Sequence, residues 1–253
     1  MSEKQILPVW ATVRQSYGWV RRHPRLLALP MALLFIAQVL QETLAARLLP
    51  DAWGKIAATF LLFLVDGAFS VGLFRTIIID EVRRGFAFLR WGFEFWRYLK
   101  TVLIATLGIL LIGAALLLGV GSKLSADDLH SGKLILIGVI VALPTLYLAA
   151  RLLLAFPAAA LGRDKVFTLG WRASKGNGLR LAAVLLLTTA IPTLIDALLD
   201  SPFAVSPDST LSFLTALVSS AVEVLDSALI TAAMALSYRI LAPAPIPDGE
   251  PAP

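Results

Sequence analysis

Apolar residues in this sequence arrive in six runs near twenty residues long, and no other feature constrains its fold as strongly. An α-helix rises about 1.5 Å per residue, so such a run crosses a hydrocarbon core about 30 Å thick. Every backbone N–H and C=O is then satisfied inside the helix. The runs lie near 26–46, 56–79, 99–121, 133–156, 179–198 and 211–240, and the last is long enough to tilt. Composition agrees, because 58% hydrophobic and 15% charged residues, with a mean hydropathy of +0.82, lie outside the range of a soluble domain. The expectation is an all-α integral membrane protein of six transmembrane helices. They form a single domain over residues 1–241, followed by a disordered Pro-rich tail, APAPIPDGEPAP, at 242–253.

Orientation follows from Lys and Arg near the span ends. Lys4, Arg14, Arg21, Arg22 and Arg25 precede the first run; Arg75, Arg83, Arg84, Arg90, Arg97 and Lys100 lie between the second and third. Arg151, Arg163, Lys165, Arg172, Lys175 and Arg180 join the fourth to the fifth, and Arg239 ends the sixth. The opposite loops hold only Arg47, Lys55, Lys123 and Lys133. Eighteen cations against four place both termini in the cytoplasm, and the membrane of a bacterial cell is the expected location. The net charge of +5 and pI near 9.7 are products of this asymmetry rather than signs of a nucleic-acid partner. The first residues lack the continuous apolar core of a cleavable signal and are expected to be retained. Within them Val9, Trp10, Val13, Tyr17 and Val20 recur at helical spacing opposite Arg14, Arg21 and Arg22, which describes a helix lying in the interface.

The six runs group into three similar units, 1–80, 81–160 and 161–241. Each opens on a basic-aromatic segment: SYGWVRRHPRLLALP at 16–30, FEFWRYLKTVLIATL at 93–107 and LGWRASKGNGLRLAAVL at 169–185. Each closes on a lone arginine at the end of its second run, in GLFRTIII (Arg75), LAARLLLA (Arg151) and LSYRILAP (Arg239). The expectation is three pseudo-repeats, each with an interfacial amphipathic helix before its two spans, at 9–22, 86–98 and 166–176.

The stretch RLLLAFPAAALGRDKVFTLGWRASKGNGLRLAAVLLL at 151–187 combines an Arg-led helix end, a Pro, a short connection and a Ser-containing amphipathic helix leading to a basic residue. In this the chain resembles the membrane domain associated with bacterial glycerophosphoryl diester phosphodiesterases, and the related YciC-like inner-membrane proteins of unknown function. The resemblance covers most of the chain and implies a multi-pass inner-membrane protein. It does not carry the phosphodiesterase activity over, since a Pro-rich tail stands where those enzymes have their catalytic domain.

Chemistry is sparse. With no cysteine, disulfides, thiol nucleophiles and Cys-based metal sites are excluded. The two histidines, His23 and His130, are expected at opposite membrane faces and belong to no spaced ligand set. GWRASKGNG at 170–178 lacks the strand-loop-helix setting and the ending of a phosphate loop, and is read as a flexible helix entry. No Gly-x-Ser-x-Gly elbow occurs. No catalytic, metal or cofactor site is expected, and no cofactor is implied.

What remains is a set of ionisable residues in or at the ends of the spans: Asp66, Arg75, Arg151, Asp196, Glu223, Asp226 and Arg239. An intramembrane charge costs about 2.5–3.5 kcal/mol on insertion scales unless it is paired, neutral or hydrated. Glu223 and Asp226 sit three apart on one helical face, with Asp196 at a similar depth. One reading is internal pairing, with Arg151 snorkelling toward Asp66; the other is a hydrated acidic pathway for a cation or proton, with the arginines as counter-charges. Ser227, Thr231 and Ala235 form a small-residue stripe matched by Ala68 and Gly72, so the second and sixth spans are expected to touch. Pro144 and Pro192 each remove a hydrogen bond inside a span.

Two functional expectations stand. The first is a non-catalytic scaffold, envelope or lipid-associated factor, whose partners are the phospholipid bilayer, anionic lipid at its cytoplasmic face and a membrane protein. The second is a small carrier or channel using the intramembrane carboxylates. Three units that all begin on the same side differ from the inverted repeats of many transporters, which favours the first.

Overall fold

The protein, seen in a computed structural model, is described over residues 5–43, 52–121, 133–199 and 210–242, with side chains placed over 5–41, 53–119, 141–199 and 214–242. Arg47, Lys123, His130 and nearly all of the 242–253 tail fall outside the described residues, as does the side chain of Lys133. Among the described residues every regular element is helical: α1 (Val9–Arg22), α2 (Pro24–Thr43), α3 (Ala52–Ile79), α4 (Phe93–Gly121), α5 (Lys133–Leu152), α6 (Ala155–Ala160), α7 (Val166–Ala173), α8 (Gly178–Leu199) and α9 (Thr210–Leu241), with a 3-10 turn at Gly85–Phe88. Among the described residues six apolar segments are long enough to cross a membrane: Pro24–Gln41, Trp53–Ile79, Phe93–Gly119, Val141–Ala160, Gly178–Leu199 and Leu214–Leu241. These are the six runs read from the sequence, with ends shifted by up to eight residues.

The helices are not equivalent. In α3 and α9, 44% of the apolar window is buried, against 6% in α4. The first two therefore form the core of the bundle, and α4 turns most of its surface outward. The largest share of helix packing falls on α9, which lies against α1, α2, α3 and α8. Its small residues Ala228, Thr231, Ala232 and Ala235 are buried and let neighbouring backbones approach. Helices α3 and α9 run parallel in a fixed register. Ser227 Oγ donates to Asp66 Oδ1 at 2.5 Å, Ser70 and Thr231 hydroxyls lie 3.4 Å apart, and Arg239 Nη1 donates to the Ile77 carbonyl at 3.0 Å. The residue offset stays at 161, 161 and 162 across these contacts.

The α9 stripe thus meets α3 as expected, but Gly72 serves another contact. A Cβ there would stand 2.2 Å from the Phe88 carbonyl oxygen, so this glycine admits the 85–92 connection against α3. Phe88 is fully buried at that point, and the Arg90 N–H reaches the Ala68 carbonyl at 3.3 Å.

The fourth apolar run is broken. Pro157 has no N–H to give the Leu153 carbonyl, which accepts from Phe156 N at 3.2 Å instead, and the helix restarts as α6. All six residues of α6 are buried, a short plug packed against α4, α7, α3 and α9. Helix α7 lies directly on it: a Cβ on Gly170 would meet Ala155 N at 2.7 Å.

The segments that open the three expected units differ from one another. Residues 9–22 form α1, packed against α8 and α9. Residues 166–173 form α7, which ends before a turn at 174–177. The expected interfacial helix at 86–98 is instead a 3-10 turn, a short irregular stretch and the first residues of α4, which continues without a break into its span. Within this stretch Phe88 and Phe95 are drawn into the core while Phe86 and Trp96 remain outside.

Candidate functional site

The ionisable residues divide into two groups, and the division corrects the pairing expected from sequence. Arg151 and Asp66 are not partners. The Arg151 guanidinium lies 3.5 Å over the Trp171 ring, donates from Nη2 to the Trp171 carbonyl at 2.9 Å and from Nε to Ser174 Oγ at 3.1 Å. It clamps α5 to α7, and its charge is met by an aromatic face and neutral oxygens. Asp66 takes its hydrogen bond from Ser227.

The three closing arginines share a different role. Arg75 Nη1 donates to the Ala160 carbonyl at 3.2 Å, Arg151 to Trp171 and Arg239 to Ile77. Each acceptor lies in the last turn of another helix, α6, α7 or α3. Carbonyls there have no partner within their own helix and carry the negative end of its dipole, so a guanidinium both satisfies and stabilises them. Arg97 does the same one step along, donating to the Gly162 carbonyl at 2.6 Å and pairing with Asp164. The reading of these arginines as counter-charges for the intramembrane acids is replaced by one in which they staple helix ends together.

Glu81 completes this frame. Its carboxylate bridges Arg75 at 2.6 Å, Arg83 at 3.2 Å and also Arg90, while Arg75 lies 3.6 Å from Glu94. Burial alone would raise the carboxyl pKa, but hydrogen bonds from Arg90 and Arg75, together with their charges, lower it to about 2. Asp80, with φ of 54° in the left-handed region, turns the chain out of α3 so that Glu81 folds back beneath Arg75.

The acids occupy separate places along the bundle. Glu223 meets the Gln38 amide of α2, and Asp196 accepts from Ser219 of α9 at 3.1 Å. Asp226 and Asp196 are near enough for their charges to interact. Asp226 also feels Tyr17, and one of its carboxylate oxygens is buried with no hydrogen-bond donor among the described residues. Asp196 thus lies within electrostatic reach of Asp226, whereas its depth in the sequence matched it to Glu223. Asp66 and Glu223 each look toward a different neighbour, Asp66 across to Ser227 and Glu223 to α2. Among the described residues no three His, Asp or Glu side chains are placed to hold a metal ion.

No family model, curated protein or solved structure matches the chain. Its function must therefore be argued from its own residues.

Several of these were not singled out by sequence reasoning. Tyr17, counted only as an apolar position of α1, sends its hydroxyl to the Thr188 carbonyl inside α8 at 2.8 Å. That carbonyl is free because its helical donor would be the N–H of residue 192, which is a proline. The signal was present as Pro192 itself, which implies an orphaned acceptor four residues earlier. Asn177, within the glycine-containing turn, accepts from Leu7 N at 3.0 Å and donates to the Gln5 carbonyl at 2.9 Å. Arg180 adds a bond to the Leu7 carbonyl at 3.3 Å. The stretch read as a flexible entry is thus a fixed anchor for the N-terminal segment.

Proposed function

We propose that this chain is a non-catalytic multi-pass protein of the bacterial inner membrane, both termini cytoplasmic. In this reading it is a scaffold, envelope or lipid-associated factor whose basic end engages anionic phospholipid. The observation that carries the proposal is the frame of stapled helix ends. Arg75, Arg97, Arg151, Arg180 and Arg239 bind backbone carbonyls of neighbouring segments, which gathers the ends of the helices into one basic collar. The exposed cations that are not used as staples, Arg14, Arg21, Arg22 and Arg25 among them, line the rim of the same collar. Juxtamembrane cations attract anionic lipid by about 1 kcal/mol each near the surface. Aromatic side chains at the rim, Trp10, Trp91, Phe93 and Trp96, are exposed and suited to the headgroup level.

The test is lipid analysis after extraction into polymer nanodiscs from membranes of known composition. Enrichment of anionic over zwitterionic lipid around the protein supports the proposal, and parity with the bulk membrane rejects it. A second reading, a small cation or proton carrier, is favoured by the unpartnered oxygen of Asp226 beside Asp196. Proteoliposome flux abolished by Asp226→Asn would establish it.

A further inference from the structure

Helices α1 and α9 enclose a cavity of about 1220 Å³ open to one side. Its floor is apolar, formed by Leu225, Leu229 and Leu236 of α9. Its rim is basic: Arg14, Arg21 and Arg22 of α1 line it and are exposed. Among the described residues no Asp or Glu lines it. Helical spacing puts Arg14, Gly18 and Arg21 on one face of α1. Gly18 leaves a notch between the two arginines, since a Cβ there would have nothing within 4 Å.

A hollow of this size beside membrane-spanning helices is filled by something. Water is a poor occupant for a leucine floor, and hydrocarbon alone leaves three guanidiniums without anions. A molecule with an apolar chain joined to an anionic head satisfies both. We propose that the groove seats one anionic phospholipid, its phosphate over Gly18 between Arg14 and Arg21 with Arg22 beside them, and an acyl chain along the α9 leucines. This deepens the lipid-binding reading above and rests on it, giving that reading a discrete site.

The full chain in detergent, titrated with phosphatidylglycerol or with phosphatidylcholine of the same chains and followed by native mass spectrometry, tests the site. The expected result is a first phosphatidylglycerol bound at least about tenfold more tightly than the first phosphatidylcholine. Gly18→Leu, which fills the notch and keeps every arginine, removes that preference. So does the combined Arg14→Gln, Arg21→Gln and Arg22→Gln variant, whose changed side chains are exposed and which carries the test if Gly18→Leu melts early. If both variants fold and keep the tight first phosphatidylglycerol while the wild type still gathers anionic lipid in nanodiscs, the groove is overturned and the collar stands. If the wild type binds the two lipids alike and shows no enrichment in nanodiscs, both fall.

Discussion

Tyr17→Phe removes one hydroxyl and nothing else, and the structure states what that hydroxyl does. It donates to the Thr188 carbonyl, which Pro192 leaves without a helical partner in a residue that is fully buried. An unsatisfied buried acceptor costs about 1–3 kcal/mol, and hydrogen bonds between membrane helices measure about 0.6–1.7 kcal/mol. A loss of about 1–2 kcal/mol is therefore expected. For a chain of this size that lowers the melting temperature by about 2–8 °C. The cause is isolated by repeating the change in a Pro192→Ala background, where the new N–H bonds the Thr188 carbonyl within α8. There Tyr17→Phe should cost under about 0.5 kcal/mol, leaving a coupling near 1 kcal/mol between the two positions. Melting of the wild type, both single variants and the double variant in mild detergent, read by tryptophan fluorescence, supplies the cycle. Equal effects of Tyr17→Phe in the two backgrounds would refute the reasoning, as would no effect in either.

Glu81→Gln should destabilise the protein by about 2 kcal/mol at pH 7, between the value of an exposed ion pair and that of a buried one, since Arg75 and Arg90 are 16% and 14% exposed and Glu81 28%. Because the folded carboxyl pKa is lowered from 4.5 to about 2, this contribution is complete above pH 4.5 and lost as pH falls toward 2, so the melting curves of the two proteins should converge there and stay apart at pH 7. Gly72→Val places side-chain carbon against the Phe88 carbonyl and should cost about 1–3 kcal/mol or more by forcing the 85–92 connection off α3, visible as a lower melting temperature and faster proteolysis in that segment. Asp66→Asn and Arg151→Leu should have additive effects on melting, since their partners are different residues; recovery of stability in the double variant would restore the discarded pairing.

Hydropathy made the spans legible because backbone satisfaction in a lipid solvent demands long apolar runs, and the small stripe of α9 located a true helix contact by sterics alone. The polar partners were less accessible. Asp66 and Arg151 look like an ion pair along the sequence because each needs compensation, but Ser227 and the Trp171 face compensate them from segments whose proximity only the fold decides. The closing arginines were recognisable as a set, and their common task was not, since it depends on which helix ends beside each of them. Tyr17 illustrates the intermediate case: Pro192 advertises a free carbonyl at Thr188, and the identity of its donor, 171 residues away, is a tertiary fact. The break before α6 was readable in principle from Pro157, which deprives Leu153 of its partner, and was hidden by the unbroken hydropathy around it.

The central claim, that the basic collar engages anionic phospholipid, is tested most directly by electron spin resonance of spin-labelled lipids in proteoliposomes. The account predicts a larger motionally restricted fraction for labelled phosphatidylglycerol than for labelled phosphatidylcholine at low salt, falling toward parity as ionic strength rises. Equal restricted fractions at low salt, or a preference that salt leaves unchanged, would contradict it.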